Sequence, residues 1–481
     1  MRGLLSPLAI AVAGALVFTP VARAERTKVA DAVALGGPVF AGDRVVFGSD
    51  YQGQLHENVV EPNGNRRLVR VLGPVPPPVE PVAAEDGQYD FLRAKFQASP
   101  AIVATGVQHA AGWRDLAHVA EGRLDAGPLD GPFTDLTSCG HGWDRDFAVD
   151  GERVAFTRLD PSSCSLYSNA QIVVRDMGMG KETVIEKRAP VMAYGDASSM
   201  QLAGPFVAWI EADSVAGPQG AIVVHDLRTG AERRVPATDD FRLRADGAVV
   251  QLAPAGSASP DCLSLDLVGP GAADRRRLDD CALLGVLDLD GRRVAYVRGR
   301  PATKKRGSAG ELVVADTDGS ARPVPVVTWS GHRGVVASAD LQGRRLTYAI
   351  AGCSRRSGGA IYVDELAGRP AQERVNCSAR LTRRSLRLQK DGSFAYRFAC
   401  PSGCSGEFEL ARRAGRRWIG EIGFSELDLD APGGVQKWFL AKETQRVIRR
   451  SRSPVRFRFT GTIGGRGVNV RKVSFSFTVQ R

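Results

Sequence analysis

Histidine, cysteine and grouped carboxylates are the side chains of this chain that could hold a metal, attack a carbonyl or move a proton. Their spacing decides which. The six histidines stand at His56, His109, His118, His141, His225 and His332. No two have the His-Glu-x-x-His spacing of a zinc hydrolase, and no Gly-x-Ser-x-Gly elbow presents a nucleophilic serine. In SCGHGWDRD, His141, Asp144 and Asp146 crowd beside Cys139 and read as a constrained loop. The aspartates of DLDG (Asp288, Asp290), DTDG (Asp316, Asp318) and ELDLDAPGG (Asp428, Asp430) lack the extra acidic ligands and closing glutamate of a calcium loop. They read as tight hairpin turns instead. The expectation is a protein that is not an enzyme, with no catalytic residue, no metal site and no cofactor. Its rival needs acid/base side chains converging from several distant segments, which a sequence alone does not display.

The eight cysteines fall into near-neighbour couples, Cys139–Cys164, Cys262–Cys281, Cys353–Cys377 and Cys400–Cys404, and are expected to form disulfides. A metal site would need matching histidines beside CPSGC, and there are none. Closing a loop the size of 139–164 contributes ~3 kcal/mol by chain entropy. Disulfides imply an oxidising compartment, and the N-terminus agrees. Arg2, an apolar run from Leu4 to Phe18 and the small-residue end Ala22-Arg23-Ala24 make the three-part pattern of a cleaved secretory leader over 1–24. No second apolar run is long enough to span a membrane. The expected location is secreted or extracytoplasmic, at the cell envelope.

These residues sit in a chain that repeats itself. FAGDRVVFGS, VDGERVAFTR, LAGPFVAWIE, LDGRRVAYVRG and LQGRRLTYAI share a turn glycine followed by alternating apolar residues, the period of a strand. The turn glycines are Gly42, Gly151, Gly204, Gly247, Gly291 and Gly343, 43 to 53 residues apart after one double step, in whose gap a weaker copy, SPAIVATG, begins at Ser99. A second strand follows each, as in IVVRDMGMG, IVVHDLRTG and LVVADTDGS, ending near an aspartate before a glycine turn. With the strand before each turn glycine and a short returning strand, each unit has four antiparallel strands. Four-stranded units at this period predict a β-propeller of six or seven blades over 25–378.

The copies DGERVAFTR…IVVRD…G and DGRRVAYVR…LVVAD…G resemble the TolB-type propeller repeat. The resemblance implies a rigid disc that binds a protein or ligand in an exported setting. From residue 379 the period stops. Alternation at Phe394, Tyr396 and Phe398, at Val455, Phe457 and Phe459, and at Val473, Phe475, Phe477 and Val479 predicts a helix-free β-sandwich over 379–481. CPSGCSGEFEL resembles a motif of repeated Ig-like modules in bacterial surface proteins. The overall expectation is an all-β chain, a propeller followed by a sandwich.

Charge separates the two parts. Residues 378–481 carry 22 Lys+Arg against 8 Asp+Glu, a net of +14, within a whole chain of 64 against 53. All of the basic excess therefore lies there, and fits an anionic wall polymer or headgroups. Nucleic acid is excluded by export and by the lack of any binding motif. In the propeller, the long irregular connections carry two basic clusters, Arg298, Arg300, Lys304, Lys305 and Arg306, then Arg355 and Arg356. These are the candidate contacts for an acidic partner. The resulting expectation is an exported, monomeric binding protein whose propeller face recognises a protein or glycan. The alternative is a secreted propeller-type lyase or hydrolase acting on carbohydrate.

Overall fold

The computed structural model describes residues 26–481 except 32–33, 53, 75–88, 114–115, 137–146, 159–170, 187–199, 213–219, 237, 239, 255–261, 272–273, 301–308, 321, 331–335, 351–358, 367–369, 374–378, 401–403, 430–432 and 466–467. The alternating segments form strands as their period requires, in seven four-stranded antiparallel groups. Blade 1 spans 34–74, blade 2 89–135, blade 3 147–186 and blade 4 200–236. Blades 5 and 6 share one strand, Arg275–Asp290, whose first half pairs within blade 5 and whose second half begins blade 6. Blade 7 takes three strands from 336–365 and its outermost one, Thr27–Asp31, from the start of the described chain. The quoted segment LDGRRVAYVRG supplies the second strand of blade 6, Arg293–Arg300.

Each blade buries its two faces against its neighbours, so the described core divides into seven clusters, one per interface, beside the C-terminal one. Ala148, Ile172, Leu202 and Trp209 fill the space between blades 3 and 4, and Leu341, Leu346, Tyr348 and Val327 that between blades 6 and 7. Phe40 and Phe47 of blade 1 meet Ala30 and Ile361 of blade 7, which closes the ring. The interface of blades 1 and 2 has the fewest fully buried apolar residues, and a buried ion group supplements them. Arg70 donates to Glu57 and to Asp125, each at 2.7 Å, and Thr105 donates to Glu57 at 3.1 Å.

The repeated turn does more than reverse the chain. Its glycines adopt positive φ, 61° at Gly151, 57° at Gly291 and 56° at Gly343, where a side chain would be strained. The arginine two residues later reaches the turn glycine of the following blade. Arg153 donates to the Gly204 carbonyl at 2.6 Å, Arg293 to Gly343 at 3.1 Å and Arg345 to Gly42 at 2.7 Å. The residue before the glycine accepts from the same place, since the Gly204 N–H donates to Asp150 at 2.8 Å. Asp290 accepts the Gly343 N–H in the same way. Two residues further in, Gln97, Asp288 and Asp340 accept the backbone N–H of Val149, Leu341 and Phe40 at 2.9, 2.6 and 2.7 Å. The recurring Asp-Gly-x-Arg is thus a clasp between blades as well as a hairpin.

Beyond the propeller strands, a three-stranded and a five-stranded sheet share one core. Phe394, Tyr396 and Phe398 of the first meet Phe408, Phe457, Phe459 and Phe477 of the second. The helix-free expectation is corrected, because Lys442–Arg450 forms an α-helix that buries Thr444 and Ile448. Its N-cap is Ala441, with no side-chain cap, so the usual start signal is missing from the sequence.

Candidate functional site

The first strand of each blade lines the axis of a propeller, and three aspartates stand on such strands in consecutive blades. They are Asp240 on Asp240–Leu243 of blade 5, Asp288 on Arg275–Asp290 of blade 6 and Asp340 on Val336–Gln342 of blade 7. Arg242 sits among them. It donates to Asp240 at 2.7 Å, and its Nε lies 3.7 Å from Asp288. Lys95, from blade 2 on the far side of the ring, is close enough for its charge to act on Asp240. Lys95 is also held by the Phe147 carbonyl at 3.0 Å.

Sequence and backbone explain the placement. Asp288 and Asp340 each stand three residues before a turn glycine, Gly291 and Gly343, so the period of two sets both on the same side of the inner edge. Blade 5 has a longer turn, closed by the Gly247 N–H on the Arg244 carbonyl at 2.9 Å, which moves Asp240 seven residues before its glycine.

Burial dominates the electrostatics of all three carboxyls and drives each toward its neutral form. Asp340 is raised well above the ordinary carboxyl value, by burial first and then by the Asp288 charge, against the Phe40 N–H and Arg242. Asp288 is raised by burial, opposed mainly by Arg242. Asp240 is raised by burial, opposed by Arg242 and more weakly by Lys95. The Asp288 side chain keeps 19 % of its surface open. Asp240 accepts from Arg242 and Asp340 from the Phe40 N–H, while Asp288 turns Oδ2 to the Leu341 N–H and Oδ1 to Arg242. A carboxyl held neutral in such a place can donate a proton, and a neighbouring ionised one can accept. Among the described residues no group of three or more His, Cys, Asp or Glu is arranged to hold a metal ion.

The residues singled out in the sequence go elsewhere. Arg298 lies within its own pair of blades, donating to Asp279 at 2.7 Å, to Glu311 at 3.1 Å and to the Tyr296 hydroxyl at 3.1 Å. Arg300 ends the same strand. Lys304, Lys305, Arg306, Arg355 and Arg356 fall outside the described residues, as do His141, Asp144, Asp146 and the 1–24 segment. Cys262–Cys281 and Cys400–Cys404 are disulfide-bonded as expected. Cys139, Cys164, Cys353 and Cys377 lie outside the described residues. The bonded pairs fit an extracytoplasmic location. Among the described residues no helix is long and apolar enough to cross a membrane.

No protein-family model and no curated protein sequence matches the chain. Among solved structures, the acylaminoacyl peptidase of Pyrococcus horikoshii is similar over 78 % of this chain and 57 % of its own, at 12 % identity and a TM-score of 0.40. The chain therefore spans little more than half the length of that peptidase. The β-propeller domain of the Trilobed protease from Pyrococcus furiosus, described as having an open velcro topology, is similar over 70 % of this chain and 97 % of its own, at 11 % identity and a TM-score of 0.38. The AtxE2 isopeptidase is similar over 68 % of this chain and 59 % of its own, at 13 % identity and a TM-score of 0.29. What these share with the chain is the propeller fold. The expectation that the chain is not an enzyme is corrected here, since the solved structures it resembles include peptidases and an isopeptidase with propellers.

Proposed function

We propose that the protein is an exported propeller of the TolB type that takes a glycan of the cell envelope at its axis. The observation that carries this is the grouping of Asp240, Asp288 and Asp340 on the first strands of blades 5, 6 and 7, with Arg242 between Asp240 and Asp288 and Lys95 of blade 2 acting on Asp240. Sugar hydroxyls donate to carboxylate oxygens and accept from guanidinium and ammonium groups, so this donor and acceptor set suits a hydroxyl-rich ligand. The basic C-terminal part, divided from the propeller at 378/379 and of Ig-like character, holds the protein to an anionic envelope component.

A second reading is favoured by the raised carboxyls. Asp288 and Asp340 are neighbouring carboxyls, both raised by burial, and a pair of carboxyls is what general acid/base cleavage of a glycosidic bond requires.

The test uses full-length protein, soluble peptidoglycan fragments and neutral polysaccharides, with calorimetry for binding and a reducing-end assay for cleavage. Asp288→Asn with Asp340→Asn keeps both clasp acceptors while removing both acids. Loss of binding in a variant that melts within a few degrees of the parent supports the axial site. Unchanged binding refutes it, and reducing ends that appear with the parent and vanish with the variant establish the second reading.

A further inference from the structure

The five-stranded sheet of the C-terminal part has an inner face of Phe408, Leu410, Phe457, Phe459 and Phe477. Period two puts the intervening residues on its outer face. The register lines up one row straight across the strands. Ser385 opposes Thr478, Thr478 opposes Arg456, and Arg413 opposes Trp418. The pairing of Arg412 with Phe457, continued by one residue, sets Arg413 opposite Arg456. The row therefore reads hydroxyl, hydroxyl, arginine, arginine, tryptophan, over four interstrand spacings or ~19 Å.

Two features of this row want an anion. Like charges directly opposite on a sheet repel, and Arg413 and Arg456 are both exposed. Neither forms an ion pair with a described residue. Among the described residues Arg413 donates to the Gly415 carbonyl alone, at 3.1 Å. Beside them the Arg458 guanidinium lies 4.5 Å from the Trp418 ring centre, and its Nε has no hydrogen-bond partner. Of the exposed apolar residues, Val435 and Phe439 belong to the other sheet, and Ile419 of this sheet pairs with Arg412 rather than lying in the row, where Trp418 is the one large apolar side chain.

We infer that this row is a track for an extended acidic polysaccharide. The guanidinium forks take sugar carboxylates, and Ser385 and Thr478 bond hydroxyls. Trp418, held under Arg458, bounds one end of the track. This rests on the reading that the C-terminal part holds an anionic envelope component, and it names the face and the chemistry.

The test measures binding of the full chain to polygalacturonate and to vesicles of phosphatidylglycerol and phosphatidylcholine at two salt concentrations. Arg413→Ser with Arg456→Ser should weaken polygalacturonate binding at least tenfold. Arg449→Ser with Arg450→Ser removes the same charge from the exposed end of the helix and should change it less than twofold. Should the first double variant not fold, Arg413→Lys with Arg456→Lys keeps the charge and loses the forks, and should still weaken binding several-fold. Equal losses from both serine pairs, or binding to vesicles but not to the polysaccharide, would overturn the track while leaving an anionic tether in place. Binding to neither probe would remove the tether itself.

Discussion

Asp340 is held by two opposing demands. Its Oδ2 accepts the Phe40 N–H at 2.7 Å and so fastens blade 7 to blade 1, while burial and the Asp288 carboxyl beside it resist its charge. Asparagine satisfies the first demand and removes the second; alanine fails the first. Asp340→Ala leaves a backbone N–H unpaired at the blade junction and should cost about 1–3 kcal/mol of stability. Asp340→Asn should cost little at neutral pH. The pH dependence follows from the direction of the shift. With the folded value raised above the ordinary ~3.9, the folded protein binds more protons than the unfolded chain between those two values. The stabilisation from this group is complete below the unfolded value and is lost as pH rises through the folded one. Urea titrations from pH 4 to pH 8 should show stability falling with pH in the parent and falling less in Asp340→Asn. Equal slopes would assign the titration to Asp240 or Asp288.

At the scale of one strand and its turn, the same few letters carry both local and distant information, and only the local half could be read in advance. The turn glycine and the alternation after it announce a hairpin, and the even spacing announces a propeller. The arginine two places after the glycine is visible as a repeated letter, yet its partner, the turn glycine of the next blade, lies 50 to 51 residues on for Arg293 and Arg153 and across the ring closure for Arg345. The axial aspartates were partly legible for the same reason. DLDG and ADLQG repeat an aspartate three residues before the glycine, and Asp240 is hidden by its longer turn. The helix Lys442–Arg450 left little trace, because Ile448 alone among its apolar residues is buried and Val447 is exposed. The clasps make a measurable claim. Arg345→Ala removes the bond to Gly42 across the closing junction, and Arg153→Ala the bond to Gly204 within the ring. Each should lower stability by ~1–2 kcal/mol. If the clasps act independently, calorimetric losses should add in the double variant, since the sites share no partner. A coupled loss would mean that opening one junction loosens the ring as a whole.

A ring of blades has no edge only if its last sheet is completed, and here completion comes from the other end of the chain. Thr27–Asp31 pairs with Ala360–Glu365 as the outer strand of blade 7. Arg26 anchors its start. The guanidinium lies 3.3 Å from the Tyr362 ring centre and pairs with Glu373, itself on a short strand, Ala371–Glu373, that runs parallel to the outer edge of blade 6. The first described residues thus bind blade 7 and the segment leaving it in one step. Three contacts compete to be the main lock of the closing junction: this strand, the Phe40–Phe47–Ile361 core, and the Arg345 and Asp340 clasps. A chain beginning after Asp31 retains the second and third and loses the first. It also exposes the backbone donors and acceptors of Ala360–Glu365 as an open edge, which invites pairing between molecules. If the strand is the main lock, the shortened protein should melt well below the parent, aggregate on warming, and regain part of the difference when a peptide of residues 26–31 is supplied. If it melts within ~2 °C of the parent, a difference of less than ~1 kcal/mol in a domain above 150 residues, the clasps and the core close the ring without it. In that case the Arg345→Ala substitution should be far more damaging in the shortened chain than in the full one.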